Sequence, residues 1–285
     1  MLFLEKKKIK IYQIYKKNRI LFVGFVLFIL LLIINFILPL FCLSKNDSMK
    51  SFKSFLEPSK KHLMGTDCLG HDLFEYVTKG TKISLFISFS TVLISGIIGI
   101  FLGILAGYFG GFFNFLVNFI CDFIFVFPDF ILAFLIILFC GKSFYSLILA
   151  ISIGYIPTFT KDVKSVTMQI SQKDFVKSAV CLGASNFYII RKHIFPHLLN
   201  SLIIRISLSL SSIILVASSF GFIGLGLDPS IPEWGSLLST NKAYISVFPR
   251  LFFFPMFIIL LTNLSFNFIA EGLSEYLSYK SDENK

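Results

Sequence analysis

The sequence predicts an all-α membrane protein with six transmembrane helices, both termini inside, and a sizeable cytoplasmic loop between spans four and five. Three observations carry this. Hydrophobic residues make up 55% of the 285 and charged residues only 15%, where soluble domains carry roughly 25% charged residues. The apolar residues fall in long runs without a charge, and mean hydropathy is +0.82. The basic residues gather unevenly at the ends of those runs. Together these exclude a soluble globular domain, a disordered chain, a collagen and a disulfide scaffold.

Residues 1–19 form a basic tail holding Lys6, Lys7, Lys8, Lys10, Lys16, Lys17 and Arg19. A charge-free run of 25 residues follows, from Ile20 to Ser44, and about 20 suffice to span a bilayer. A secretory signal has a shorter apolar region and a small-residue cleavage site, so residues 20–44 are expected to stay as the first transmembrane helix. Residues 45–82 make an external loop, and residues 83–275 a five-helix core. That core opens with 39 uncharged residues, Ile83 to Cys121. As one straight helix they would measure about 58 Å, against a hydrocarbon core of about 30 Å. The run must turn, and Gly107-Tyr108-Phe109-Gly110-Gly111 supplies the turn. Crossings are therefore expected at 83–106, about 113–140, Ser143–Thr160, Ile206–Leu227 and Leu251–Ala270. Residues 161–200 form the cytoplasmic loop, and 276–285 a cytoplasmic tail.

Basic residues near span ends mark the cytoplasmic side. With the N-terminus inside, that side holds 16 of the 26 Lys and Arg and the other side ten. The net charge of +10 thus reports orientation. No basic stretch lies on a soluble domain, so nucleic acid is not an expected partner.

Few groups suit chemistry. Gly141-Lys142-Ser143 resembles the end of a phosphate-binding loop, but the pattern needs glycine where Ile136 stands. Cys42, Cys68, Cys121, Cys140 and Cys181 show no C-x-x-C spacing. His193 and His197 are four apart, yet Pro196 lies between them and no acidic third ligand accompanies them. No cofactor, metal or catalytic residue is expected.

Three sets of residues share helix faces. Ser95, Gly99, Gly103 and Gly107 recur every four residues, which in lipid lets a neighbouring backbone approach closely. Ser207, Ser211 and Ser218 share a face of span five. They suit either a water-lined path or bonding to their own preceding carbonyls. Asp122 and Asp129, seven apart beside Pro128, would also share a face, and an intramembrane acid is a functional candidate by default.

The cytoplasmic loop carries the most organised pattern. Phe175, Ala179 and Leu182 recur at helical spacing. Gly183 can end that helix, with Ala184 following, and Ser185 can cap a second. The resulting elbow either docks into a partner's groove or packs on its own bundle.

Here the chain resembles the permease subunits of binding-protein-dependent ABC importers. Their signature has an E-A-A triplet, then a glycine, and later a closing I-x-x-P or I-L-P. Lys177-Ser178-Ala179 takes the first place, Gly183 the glycine, and Ile194-Phe195-Pro196 the last. Gly65-Thr66-Asp67-Cys68-Leu69-Gly70-His71-Asp72 resembles the G-T-D-x-x-G-R-D segment of the oligopeptide, dipeptide and nickel branch. Ala106-Gly107-Tyr108-Phe109-Gly110-Gly111 is similar to that branch's second-span ending. Phe222-Ile223-Gly224-Leu225-Gly226 with Pro232-Glu233-Trp234-Gly235 is similar to its fifth-span exit. Two positions depart. Lys177 reverses the usual acidic charge, while Asp174, one turn earlier, offers a carboxylate to a partner arginine. His71 stands where arginine is usual, which makes ion pairing there sensitive to pH.

The resemblance implies a multi-pass subunit of the bacterial inner membrane, without an ATP site of its own, that forms half of a pore. Its implied partners are a second homologous permease, two ABC ATPases, an extracytoplasmic solute-binding protein, a peptide substrate and membrane lipid. The ATPase-coupling residues would be Asp174, Lys177, Ser178, Ala179, Gly183, Ala184, Ser185, Ile194 and Pro196. Nickel or another small solute is the alternative cargo within the branch. A proton-coupled carrier using Asp122 and Asp129 is the alternative from another class.

Overall fold

A computed structural model describes residues 18–39, 53–228 and 231–283. The basic residues before Asn18, the start of the external loop, Cys42 and Lys285 lie outside them. Among the described residues every extended element is helical, apart from one isolated bridge between Thr66 and Asp72.

Helix α1 (Arg19–Leu32) runs on through a wide turn at Ile33–Ile37. Helix α2 (Leu73–Phe109) begins at Asp72, whose carboxylate accepts the Glu75 amide and caps it. It ends where Gly110 takes φ +65°, a backbone that favours glycine. Then follow α3 (Gly111–Val126), α4 (Asp129–Cys140), α5 (Phe144–Ser171) and the short α6 (Asp174–Cys181). One turn, α7 (Asn186–Ile189), leads through a wide turn at Ile190–Ile194 into α8 (Phe195–Ile223). Helices α9 (Trp234–Asn241) and α10 (Arg250–Glu283) complete the chain.

The most extensive packing joins α2 to α5, and glycine makes it possible. A methyl group built on Gly99 would sit 2.4 Å from Phe159 Cβ, and one on Gly103 2.7 Å from Val163 Cβ. On Gly107 it would sit 2.8 Å from both the Lys164 carbonyl and Thr167 Cβ. Partner numbers rise together along both helices, so α2 and α5 run parallel. By the same reasoning α1 and α10 are antiparallel. Gly24 packs on Ile269, Leu21 on Gly272, and Asn18 Nδ2 donates to the Gly272 carbonyl at 2.8 Å. Helices α8 and α10 also run antiparallel, since Ser211 meets Asn263 and Phe222 meets Phe252. Trp234, Phe159, Leu31, Ile213 and Ile214 fill the central core.

The span count differs from the sequence expectation. Among the described residues four helices are long and apolar enough to cross a membrane: Arg19–Ile37, Leu73–Phe109, Asn186–Ile223 and Arg250–Leu277. A fifth is reached if Gly111–Val126 and Asp129–Cys140 count as one span, bent by 88°. The stretch expected as a third crossing is therefore broken. Pro128 holds Phe127 in extended backbone, φ −88° and ψ 128°, as a following proline requires. The expected fourth crossing is the first half of α5, whose apolar run ends at Lys161 before the helix continues through Asp162 and Lys164. It is too short and polar to count on composition alone.

Much of the remaining surface is apolar. Phe86, Leu93, Ile97 and Phe101 line an exposed side of α2, and Phe22, Phe25, Val26 and Ile29 one of α1. Patches of this extent need lipid or a partner. We expect Gly103→Leu to wedge α2 off α5 and destabilise the fold by about 1–3 kcal/mol, seen as a lower Tm in detergent. Gly154→Ala, where a methyl meets nothing closer than 3.6 Å, is the control. Equal Tm for both variants would remove the packing role.

Candidate functional site

The elbow between α5 and α8 is built by two turns of local chemistry. Asp174 sits in the first turn of α6, where the helix N-terminus favours a carboxylate. At the other end the Gly183 amide donates to the Val180 carbonyl at 2.9 Å and Ala184 to Ala179 at 3.1 Å. This is the paired C-terminal closure that needs a left-handed residue, and Gly183 supplies it at φ +77°. Nothing lies within 4 Å of a methyl built there, so backbone angle, not space, selects glycine. Ser185 then caps α7, its Oγ accepting the Tyr188 amide at 3.3 Å.

One face of the elbow packs inward. Val176, Ile189, Ile194 and Leu198 are buried with Val163 and Ile170 of α5, and Ala179 and Ala184 lie against them. The other face is bare. Leu182 is 87% exposed and Phe187 72%, with Val180 beside them and Lys177, Ser178 and Pro196 also exposed. Of the three residues at helical spacing, Ala179 lies against the bundle, while Phe175 and Leu182 are exposed. Tyr108, at the end of α2, donates from its hydroxyl to Asn186 Oδ1 at 3.0 Å. That link between the glycine stripe and the elbow was not read from the sequence, although Tyr108 lies in a quoted motif.

The serine face of α8 is divided in its partners. Ser207 donates to its own Ile203 carbonyl at 3.1 Å. Ser211 joins α8 to α10: Asn263 Nδ2 and Asn267 Nδ2 each donate to its Oγ at 2.7 Å. Ser218 is buried, its carbonyl pressed against Gly235. All three face into this chain. The groove that opens beside them, about 350 Å³, is lined instead by Arg205, Ser209, Ser212, Asn263 and Asn267, with Ser211 at its floor.

At the opposite end of α2 lies a compact knot. Asp67 Oδ1 accepts the amides of Leu69 and His71 at 2.9 and 2.7 Å, and its Oδ2 meets His71 Nδ1 at 3.2 Å. Asp72, the cap of α2, also meets His62 Nδ1 at 2.7 Å. Arg250 Nη2 donates to the carbonyls of Phe55 and Leu56, and Phe55 stacks on Phe248 at 4.4 Å. The knot is thereby riveted to the start of α10.

Between α8 and α9 sits a group that the sequence reading quoted without a role. Glu233 is fully buried and neither carboxylate oxygen has a hydrogen-bond partner. Both oxygens lie against Gly221, and one against Gly226; a methyl on either glycine would meet them at 3.0 and 2.8 Å. Burial pushes the Glu233 pKa up to about 7; the nearby Leu227 amide offsets this in part without a well-formed hydrogen bond.

The remaining candidates have structural uses. Lys161 Nζ pairs with Asp122 at 2.8 Å, while Asp129 begins the next helix beyond the 88° bend, so the two acids do not share a face. His193 and His197 pack around the Phe175 ring, at 6.0 and 5.1 Å. Lys142 Nζ donates to the Gly224 carbonyl at 2.8 Å, and Ser143 caps α5 reciprocally with Ser146. Among the described residues Cys68, Cys121, Cys140 and Cys181 are free, and no three ligating side chains cluster for a metal.

Residues 99–280 match the family described as binding-protein-dependent transport system inner membrane component. A glutathione transport system permease protein GsiD from Pectobacterium atrosepticum is 35% identical over 223 residues, 78% of this chain and 74% of that protein. Its namesake from Escherichia coli O6:K15:H31 is 37% identical over the same shares. Among solved structures, the inward-facing MetNI methionine ABC transporter superposes with a TM-score of 0.55 at 17% identity, covering 69% of this chain and 95% of that one. An amino acid ABC transporter with histidines gives 0.54 at 14% identity, covering 69% and 91%. At such identities these two show a shared fold.

Glu233 generates a pH prediction. A carboxyl whose pKa rises on folding, here from 4.5 to about 7, holds a proton in the folded chain that the unfolded chain releases. Its contribution to stability is therefore full below about 4.5, falls as pH rises to about 7, and is flat above. The total is roughly 3 kcal/mol. Across that window the wild-type Tm should fall more steeply than that of Glu233→Gln. Parallel curves would show that the carboxyl carries no folding-linked proton.

Proposed function

The chain belongs to the binding-protein-dependent transport system inner membrane components, the permease subunits of ABC importers, and on that premise we propose that it forms half of a peptide-importing pore driven through the 174–196 elbow. The observation that carries this is the elbow's exposed face. A helix closed by Gly183 holds Leu182 and Phe187 away from the bundle, and its buried face is locked to α5 while Tyr108 ties it to α2. An ATPase gripping that surface would move two packed helices as one body, which is what rigid-body switching between pore states needs. Asp174, Lys177, Ser178, Ala179, Gly183, Ala184, Ser185, Ile194 and Pro196 are the residues assigned to coupling. Ser178 and Lys177 face the ATPase, whereas Ala179 and Ile194 support the elbow from beneath.

Six crossings with both termini inside remain the proposed topology. The parallel course of α2 and α5 supports it. Two helices that start on the same side must be joined by a chain that returns, so the bent pair α3–α4 has to come back across the bilayer. Helix α5 then crosses by leaning on α2, since packed protein satisfies polar groups that lipid would not. The external knot at 53–72 and Arg250 lies on the side where a solute-binding protein would dock, and the bare apolar flanks suit lipid and a second permease. Cargo is proposed to be a di- or oligopeptide, because relatives matched over three-quarters of their length are named for glutathione, a tripeptide. The lining of the path is assigned to α8, with Ser207, Ser211 and Ser218 on the side that meets its own bundle. The carrier alternative loses its support where Asp122 pairs with Lys161.

Purified with a second permease, two ATPases and a binding protein, the chain should sustain ATP hydrolysis that the loaded binding protein stimulates. Gly183→Val forces a β-branched side chain into a left-handed backbone at about 1–2 kcal/mol. That should weaken ATPase association by about 5–30-fold; unaltered association would remove the elbow from the mechanism. Lys177→Glu should leave assembly intact or strengthen it, and complete loss of association on co-purification would show that the partner matches the lysine.

A further inference from the structure

The α8–α10 groove is polar at a depth where lipid-facing surfaces of this chain are not. Arg205 heads it, about 15 Å along α8 from Phe195 at 1.5 Å per residue. Its Nη1 pairs with Asp162 Oδ2 at 3.0 Å, its guanidinium lies over the Phe159 ring at 5.7 Å, and its Nε is buried without a partner. One turn on, Ser209 lines the groove with its Oγ also buried and unpartnered. Asn263 and Asn267 are held in place from α10 by their bonds to Ser211. A second cavity of about 310 Å³ meets the first at Arg205 and Leu208 and runs between α5 and α8, past Ser201, Ser165 and Asp162. Among the described residues Asp162 is the one carboxylate lining either space.

Charge and amide groups on a spanning helix are costly against hydrocarbon, and Phe22, Phe25, Phe86 and Leu93 already supply apolar flanks. Such a groove suits an aqueous path better than a lipid-facing surface. We propose that it is the inner contact site of the pore for the carboxylate of a peptide substrate, with Arg205 as the anion-binding residue. The proposal rests on the importer reading above. A guanidinium grips a carboxylate through paired N–H donors, and the serine and asparagine groups suit the adjoining peptide amides. Asp162 gives the contact its reversibility. It neutralises Arg205 when the path is empty, yields to an arriving carboxylate, and reclaims the guanidinium as the substrate leaves. A site in a conduit must bind weakly enough to release, and a resident counter-ion achieves that.

The test is uptake into proteoliposomes holding this chain, its second permease, both ATPases and the binding protein. The probes are trialanine and trialanine C-terminal amide, read as the ratio of their uptake rates alongside binding-protein-stimulated ATP hydrolysis. Wild type should favour the free acid. Arg205→Met should lower that ratio about tenfold, a loss of about 1.4 kcal/mol of discrimination. Asp162→Asn should hold or raise the ratio. An unchanged ratio in Arg205→Met, with the same binding protein present, overturns the site while leaving the importer reading intact. If Arg205→Met fails to assemble, Arg205→Lys decides, because it keeps the charge and loses the fork: a several-fold fall supports the site and an unchanged ratio overturns it. Stimulated hydrolysis without uptake of either probe by wild type would overturn the peptide reading, and this site with it.

Discussion

Gly99, Gly103 and Gly107 bring the backbones of α2 and α5 close enough that a single methyl would collide, and the rest of the architecture is arranged around that contact. In a bilayer no hydrophobic force draws one apolar helix to another, so association relies on dispersion and backbone approach. The stripe provides both over more than two turns. Its parallel geometry also requires that the chain between α2 and α5, the bent pair α3–α4, return to the end where α2 began. The second half of α5 then serves as the bed for α6 and α7, because Val163 and Ile170 are buried with Val176 and Ile189. Removing the close contact would therefore disturb the elbow and the inner cavity together.

At the two ends of the α2–α8–α10 group the chemistry is of opposite character. The end that carries the elbow has exposed apolar side chains, Leu182 and Phe187, beside the exposed Lys177. The opposite end is dense with internal bonds: Asp67 and Asp72 accept two or three each, and Arg250 binds two carbonyls of the facing segment. Such an asymmetry suits a machine in which force enters below and a pre-formed surface receives solute above.

How much of this was legible in the residues can be stated position by position. The all-α membrane class followed from composition, and the glycine spacing announced a tight helix contact because only small side chains permit it. Gly183 and Ser185 marked a helix end and a helix start, since each supplies a backbone or side-chain group that few other residues can. The 88° bend within 113–140 was not legible, because hydropathy summed over a window hides the effect of Pro128 on the backbone of Phe127. The face of Leu182 was left open by its spacing, because helical periodicity ceases to apply where the helix stops. Tyr108 to Asn186, Arg205 to Asp162 and the enclosure of Glu233 join residues 78, 43 and about ten positions apart, and pairings of that kind depend on three-dimensional packing that local pattern does not encode.

The bare apolar face of the elbow has a meaning for the life of the polypeptide before it works. Leu182 and Phe187 are bare on the chain alone, so under the proposed topology they would face the cytosol until a partner covered them. A copy made in excess of its companions would carry a persistent sticky patch of the kind that chaperones and proteases recognise. The two side chains proposed to meet the ATPase would then also act as a tally of unassembled copies, tying the lifetime of the subunit to the supply of its companions.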